Sequence, residues 1–138
     1  MALTRPDTLG YTLVTGAVDL DTDTFYALLL TSSYTPAVAH AFRSDLTAEV
    51  SGTGYTAGGQ ALTGVTVTRT AGTAKFTFAP VVWTAATLTA RSLAIYKRRG
   101  GAAGVDELIG VDTFAADQSS SAGTWTYTPN AAGFLTVS

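Results

Sequence analysis

Asp19, Asp21 and Asp23 alternate along the chain, and carboxylates so closely spaced are chemistry that could hold a calcium ion. A calcium loop of the EF-hand type beginning at Asp19 needs Gly at its sixth position and Glu at its twelfth. Those positions are Thr24 and Leu30, so the sequence predicts a solvated turn whose Asp side chains bond nearby backbone N–H groups, without metal. The single histidine, His40, lies close to Asp45, a pair that could handle a proton. One His without a second positioned acid reads instead as a capping or hydrogen-bonding group. Glycines 52, 54, 58 and 59 punctuate the next stretch. A phosphate cradle would need Lys and Ser or Thr after the last Gly, and a dinucleotide site a strand before and a helix after. Gln60 follows Gly59 and a strand pattern comes next, so these glycines read as positive-φ positions in a turned surface loop. Lys97, Arg98 and Arg99 run into Gly100 and Gly101. Such a cluster could grip phosphate or an acidic protein surface; at the mouth of a hairpin it is ordinarily solvated. Trp83, Trp125, Tyr55 and Tyr127 could stack on sugar rings, but alternation puts Trp125 and Tyr127 on one strand face, where burial is the simpler reading.

The elements that must position these groups follow from composition. The chain has 138 residues, 13% of them charged and 46% hydrophobic, which suits one domain with one core, able to bury roughly 68% of its unfolded surface. Thr, Ala, Gly and Val dominate, a mixture that favours strands and turns over long solvated helices. A net charge of -2 and a pI near 5.1 are too acidic and too mixed for a dedicated nucleic-acid binder. The absence of Cys removes disulfides and thiolate chemistry. No apolar run reaches membrane-span length and residues 1–10 lack a signal-peptide core, so synthesis in a cytoplasm, without a membrane partner, is expected. A surface so poor in charge is a weak guard against self-association.

Taken in order, residues 1–10 read as an N-terminal arm and residues 11–138 as a single domain. Residues 24–32 are the strongest buried strand. Pro36 should stop it, and residues 37–48 leave room for one or two helical turns within a long loop. From Leu62 the alternation is clean: Val65 and Val67 point one way, a turn follows at 71–73, and Phe76 and Phe78 return inward, a β-hairpin. Further strands are expected at 81–83, 88–96, 108–114, 124–127 and 133–137, with a polar loop at 115–123. Short strands at this spacing, with glycine-rich turns, predict an all-β fold: an antiparallel β-sandwich or jelly roll with one long loop containing a short helical turn.

The succession FYALLLTSSYTP, HAFRSDLTAEVSGTGYTAGGQALTGVTVT, VVWTAATLTARSLAIYK and SSSAGTWTYTPNAAGFLTV resembles small virion proteins encoded among the structural genes of tailed bacteriophages, over most of the chain. The resemblance implies a non-enzymatic head decoration or cement protein on the outer capsid surface, bound to the major capsid protein as a homo-oligomer, with a trimer favoured. It carries no catalytic motif, cofactor or metal. It implies that His40, Phe42, Arg43, Asp45, Glu49 and Tyr55 fix the long loop and meet a neighbour, with Tyr34 in the same loop, Arg5 on the arm, and Lys97, Arg98 and Arg99 as further interface candidates. A neck, tail or fibre component of the same virion, or a carbohydrate-binding module, are the alternatives. Catalysis is not expected, because the carboxylates are scattered over turns.

Overall fold

The computed structural model describes residues 2–138. Its strands are β1 (Ala2–Thr4), β2 (Phe25–Leu30), β3 (Gln60–Ala61), β4 (Thr66–Thr70), β5 (Thr73–Thr77), β6 (Val81–Lys97), β7 (Leu108–Tyr127) and β8 (Leu135–Val137), with one short helix, α1 (Leu9–Val14). Two antiparallel sheets pack together, a five-stranded one in the order β1-β7-β6-β2-β3 and a three-stranded one in the order β4-β5-β8. This is an all-β sandwich.

The apolar run of β2 shows why the sequence folds this way. Phe25, Ala27 and Leu29 enter the core between the sheets with Phe76, Phe78, Phe134 and Leu135. Leu28 and Leu30 point the other way, into a second cluster with Tyr34, Ala94, Tyr96, Leu108 and Val111, against which Leu46 and Ala48 pack. A strand buried on both faces has no polar face, so β2 reads as a continuous apolar run. The loop between β2 and β3 thus forms a third layer over the larger sheet.

β6 and β7, 17 and 20 residues long, form one continuous hairpin. It is bent back on itself. The Tyr127 hydroxyl donates to Asp112 Oδ2 at 2.8 Å, 15 residues earlier in the same strand, and fifteen residues of straight strand would span about 50 Å. Bulges supply the bend: the register shifts at four places along β6, and Arg91 alone faces the stretch between Thr113 and Gln118. Ala85 and Ala122 adopt positive φ (48° and 47°) on the two strands toward the open end of the hairpin. Arg91 Nε clamps the widest bulge through Asp117 Oδ1 at 2.7 Å.

Several expectations are corrected here. The described part of the N-terminal arm, residues 2–10, belongs to the domain: β1 pairs with β7 through Ala2–Thr113, Leu3–Asp112 and Thr4–Val111, and Leu9 is buried in the core. Residues 9–14 are helical because Leu9 and Leu13, four apart, share the face that packs on the core. The strands expected at 81–83 and 88–96 are one strand, and the polar loop expected at 115–123 is the middle of β7. Its Ala, Ser, Asp and Gln side chains are largely exposed, so burial never imposed an alternating pattern. Val67 shares the side of Phe76, yet at the sheet edge it is left 36% exposed.

Two glycines seat the long loop on the sheet by close approach. A Cβ on Gly59 would fall 1.8 Å from the Ala27 carbonyl oxygen, and one on Gly54 would fall 2.8 Å from the Ala86 Cα, each at a positive φ. Gly59→Ala is therefore expected to cost at least about 3 kcal/mol. Gly10→Ala, in α1 with nothing within 4 Å of the new Cβ, should raise stability by about 0.5–1 kcal/mol. Thermal melts of the two variants should shift in opposite directions.

Candidate functional site

The sequence points to the loop between β2 and β3, and the structure turns its polar groups inward. Backbone bonds lay it along the sheet: Thr31 N–H to Ala48 O and Val50 N–H to Leu29 O on one side, Leu108 N–H to Ala41 O and Arg43 N–H to Asp106 O on the other, all at 2.8–2.9 Å. Buried Tyr34 places its hydroxyl 2.8 Å from His40 Nδ1. Asp45 Oδ2 accepts from the N–H groups of Ala41 (2.9 Å) and Phe42 (3.0 Å), bonds that lower its pKa and close the 3₁₀ turn Arg43–Asp45. Glu49 Oε2 receives the Tyr55 hydroxyl at 2.6 Å and the Gly58 N–H at 2.7 Å. The Tyr55 oxygen in turn accepts from Leu29 N–H at 3.1 Å, and burial, then the bond to Glu49, drives its pKa upward.

The charged end of the hairpin is satisfied in the same way. Arg43 Nε meets Asp106 Oδ2 at 2.8 Å, with the Asp side chain only 1% exposed, and its guanidinium stands 5.2 Å from the Tyr96 ring centre. Asp106 Oδ1 accepts from Arg99 N–H at 3.0 Å. Arg99 grips Glu107 with two bonds of 2.8 and 2.6 Å, and this pairing is the main cause of a lowered Glu107 pKa. Lys97 Nζ lies 2.8 Å from Asp23 Oδ2 and donates to Ala17 O at 2.7 Å. Arg98 covers the Tyr26 ring at 4.5 Å. The basic cluster considered for phosphate thus has two of its three charges paired within the chain.

The aspartate turn is tied to backbone. Asp19 Oδ1 accepts from Asp21 and Thr22 N–H, and Asp23 Oδ2 accepts from Asp19 N–H. Among the described residues, no three His, Asp or Glu side chains come together in a way that could hold a metal ion.

The rings considered as a sugar platform face the core. Trp83, Trp125 and Tyr127 are buried, Trp83 and Trp125 meet edge to face at 5.5 Å, and Tyr55 leans on Trp83 at 6.0 Å. A cleft of about 440 Å³ opens beside them between Asp112, Phe114, Gln118 and Thr126, but its one carboxylate is already bonded to Tyr127. Burial of the rings removes the platform. Arg5 stands apart from the other candidates, exposed beside Leu3, Asn130 and Phe134.

What the sequence reading missed is the exterior. Tyr11, Val14, Val38, Phe42 and Val105 are exposed and come from segments bound to one another: Asp7 N–H bonds Val38 O, Arg99 Nη2 bonds Ala17 O, and Phe42 bridges Glu107. Of these, only Phe42 was singled out. No sequence pattern gathers residues from three separate segments.

Two tests follow. Arg43→Ala leaves the Asp106 carboxylate buried without its cation, which should cost about 3 kcal/mol by denaturant unfolding. Burial, reinforced by Asp45, holds the Tyr34 hydroxyl up at about 12 against an ordinary 10.0. The folded state therefore keeps that proton more tightly than the unfolded chain. The resulting stability is complete below pH 10 and is lost as pH climbs towards 12, so melting temperature should fall across that window, and less steeply in Tyr34→Phe.

Comparison of the chain with protein-family models, with curated proteins and with solved structures finds no match.

Proposed function

We propose that the protein is a non-enzymatic structural component of a tailed-bacteriophage virion, a decoration or cement protein that binds the major capsid protein on the outer head surface as a multimer, with a trimer favoured. One observation carries the reading furthest: the polar side chains that could have done chemistry are consumed inside the fold. Asp106, Asp112, Glu49 and Glu107 bond Arg, Tyr or backbone groups of the same chain. Left outside, among scattered charges such as Arg5 and Arg69, are threonine hydroxyls, strand backbone and a group of apolar side chains, a surface that works by area. Contacts of this kind are modest singly and are multiplied by repetition over a lattice. The resemblance read from the sequence segments quoted above implies the same role. The loop candidates act in it by holding the outer layer rigid, and Phe42, with exposed Tyr11, Val38 and Val105, supplies the apolar contact.

A neck, tail or fibre position in the same particle would use the same surface and differs in stoichiometry. Quantitative mass spectrometry of purified particles decides: copies on the order of hundreds per particle are expected for a head decoration protein, and a dozen or fewer would move it to the tail axis. Absence from intact particles would overturn the reading altogether.

A further inference from the structure

The molecule has four sheet edges, and they are not alike. β1 and β3 bound the larger sheet with three and two residues, and β8 bounds the smaller with three. Edges so short offer little to pair with. Among the described residues, the outer sides of β7 beyond Thr113 and of β6 before Ser92 also lack a strand partner, but there the hairpin is bent and its register shifts repeatedly, which spoils them as pairing templates. β4 is different: five residues, Thr66–Thr70, exposed throughout, in unbroken register with β5, without Pro or bulge and with Arg69 as its single charge. Among the described residues, no backbone hydrogen bond joins it to anything except β5.

The hairpin turn fixes which backbone groups of β4 are free. Ala71 and Gly72 both have positive φ (49° and 84°), the type I′ geometry, which makes the flanking Thr70–Thr73 pair a hydrogen-bonded one. Pairs then alternate along the ladder. Thr70, Thr68 and Thr66 spend their N–H and C=O groups on β5, while Arg69 and Val67 present theirs outward. In an antiparallel match of β4 with a second β4 about a two-fold axis at Thr68, Val67 lies opposite the second copy's Arg69, and Arg69 opposite its Val67. All the outward groups of the strand are then used, in four hydrogen bonds. Each guanidinium faces a valine and stands diagonal to its mate, so like charges are not opposed. Thr66 meets Thr70 and Thr68 meets Thr68, β-branched partners suited to a sheet.

We propose that β4 is a self-recognition edge through which two copies of this chain join their three-stranded sheets into a continuous six-stranded one. A two-fold contact cannot lie inside a three-fold ring, so in a trimeric assembly it links one multimer to the next. The inference does not depend on where in a particle the protein sits.

The chain has no Cys, so single cysteines report cleanly on the full-length protein. Thr68→Cys places two thiols on a non-hydrogen-bonded pair with Cα atoms about 4.5 Å apart, within disulfide range, and mild oxidation should convert most of it to a covalent dimer. Thr66→Cys alone should not cross-link, its two copies being about 14 Å apart, whereas a mixture of Thr66→Cys and Thr70→Cys should. Val67→Pro removes an outward N–H that β5 does not use. By sedimentation it should be monomeric at concentrations where the wild type and Val67→Ala dimerise. A Thr68→Cys chain that stays monomeric, or cross-links no faster than Thr66→Cys, overturns the proposal, and this arm decides even if Val67→Pro does not fold.

Discussion

The bond between the Tyr127 hydroxyl and the Asp112 carboxylate holds the architecture to its shape. It joins two points of one strand that a straight ribbon would keep far apart, so it exists only if β6 and β7 bend together. Asp112 is 6% exposed and also accepts from Ala2 N–H at 3.3 Å, so one buried carboxylate ties the far end of the hairpin, its near half and the N-terminal strand. A hydrogen bond to a charged group contributes about 2 kcal/mol. Losing it would cost more, because the acid would remain buried. Inside the bend, Phe78 stacks on Tyr127 at 6.2 Å and Phe114 reaches both Trp125 and Tyr127 near 6 Å. The aromatic filling and the polar latch therefore demand the same curvature.

Bending the hairpin gives the larger sheet two faces that both need covering. The smaller sheet takes one, and the loop after β2 takes the other. A loop can serve as a layer only if its own backbone groups are satisfied, which explains why Glu49, Asp45, Tyr55 and Tyr96 all bond loop backbone or one another. The polar residues that looked like a site are the fastenings of an outer wall. Their hydrogen bonds go to the loop's own backbone and side chains, which is what holds the wall in place.

Much of this was legible in the sequence and some was not. β2 announced itself as an apolar run, the hairpin of β4 and β5 by clean alternation around Ala71–Gly72, and the aspartate turn by its spacing. The short helical turn in the loop was placed correctly within 37–48. What failed shares a cause. The middle of β7 is exposed and small-residue rich, so no burial pattern marks it as strand, and β1 is held by pairing with a strand more than a hundred residues away. Contacts at that range leave no local trace. For the site, the loop residues were expected both to fix the loop and to meet a neighbour; the structure shows the bonds that fix it, and periodicity could not have told an Arg that reaches out from one that, like Arg43, reaches in to Asp106.

The same accounting explains the exterior. Of the 18 charged residues in the chain, eight are joined in four ion pairs, and threonine supplies much of the remaining polar surface of the strands. A β-branched hydroxyl side chain keeps a strand extended while leaving its surface wet. It excludes indiscriminate apolar contact without excluding backbone pairing, which needs only alignment. Pairing along β4 would demand alignment over its five residues, whose register with β5 is unbroken, because backbone hydrogen bonds form only between facing groups.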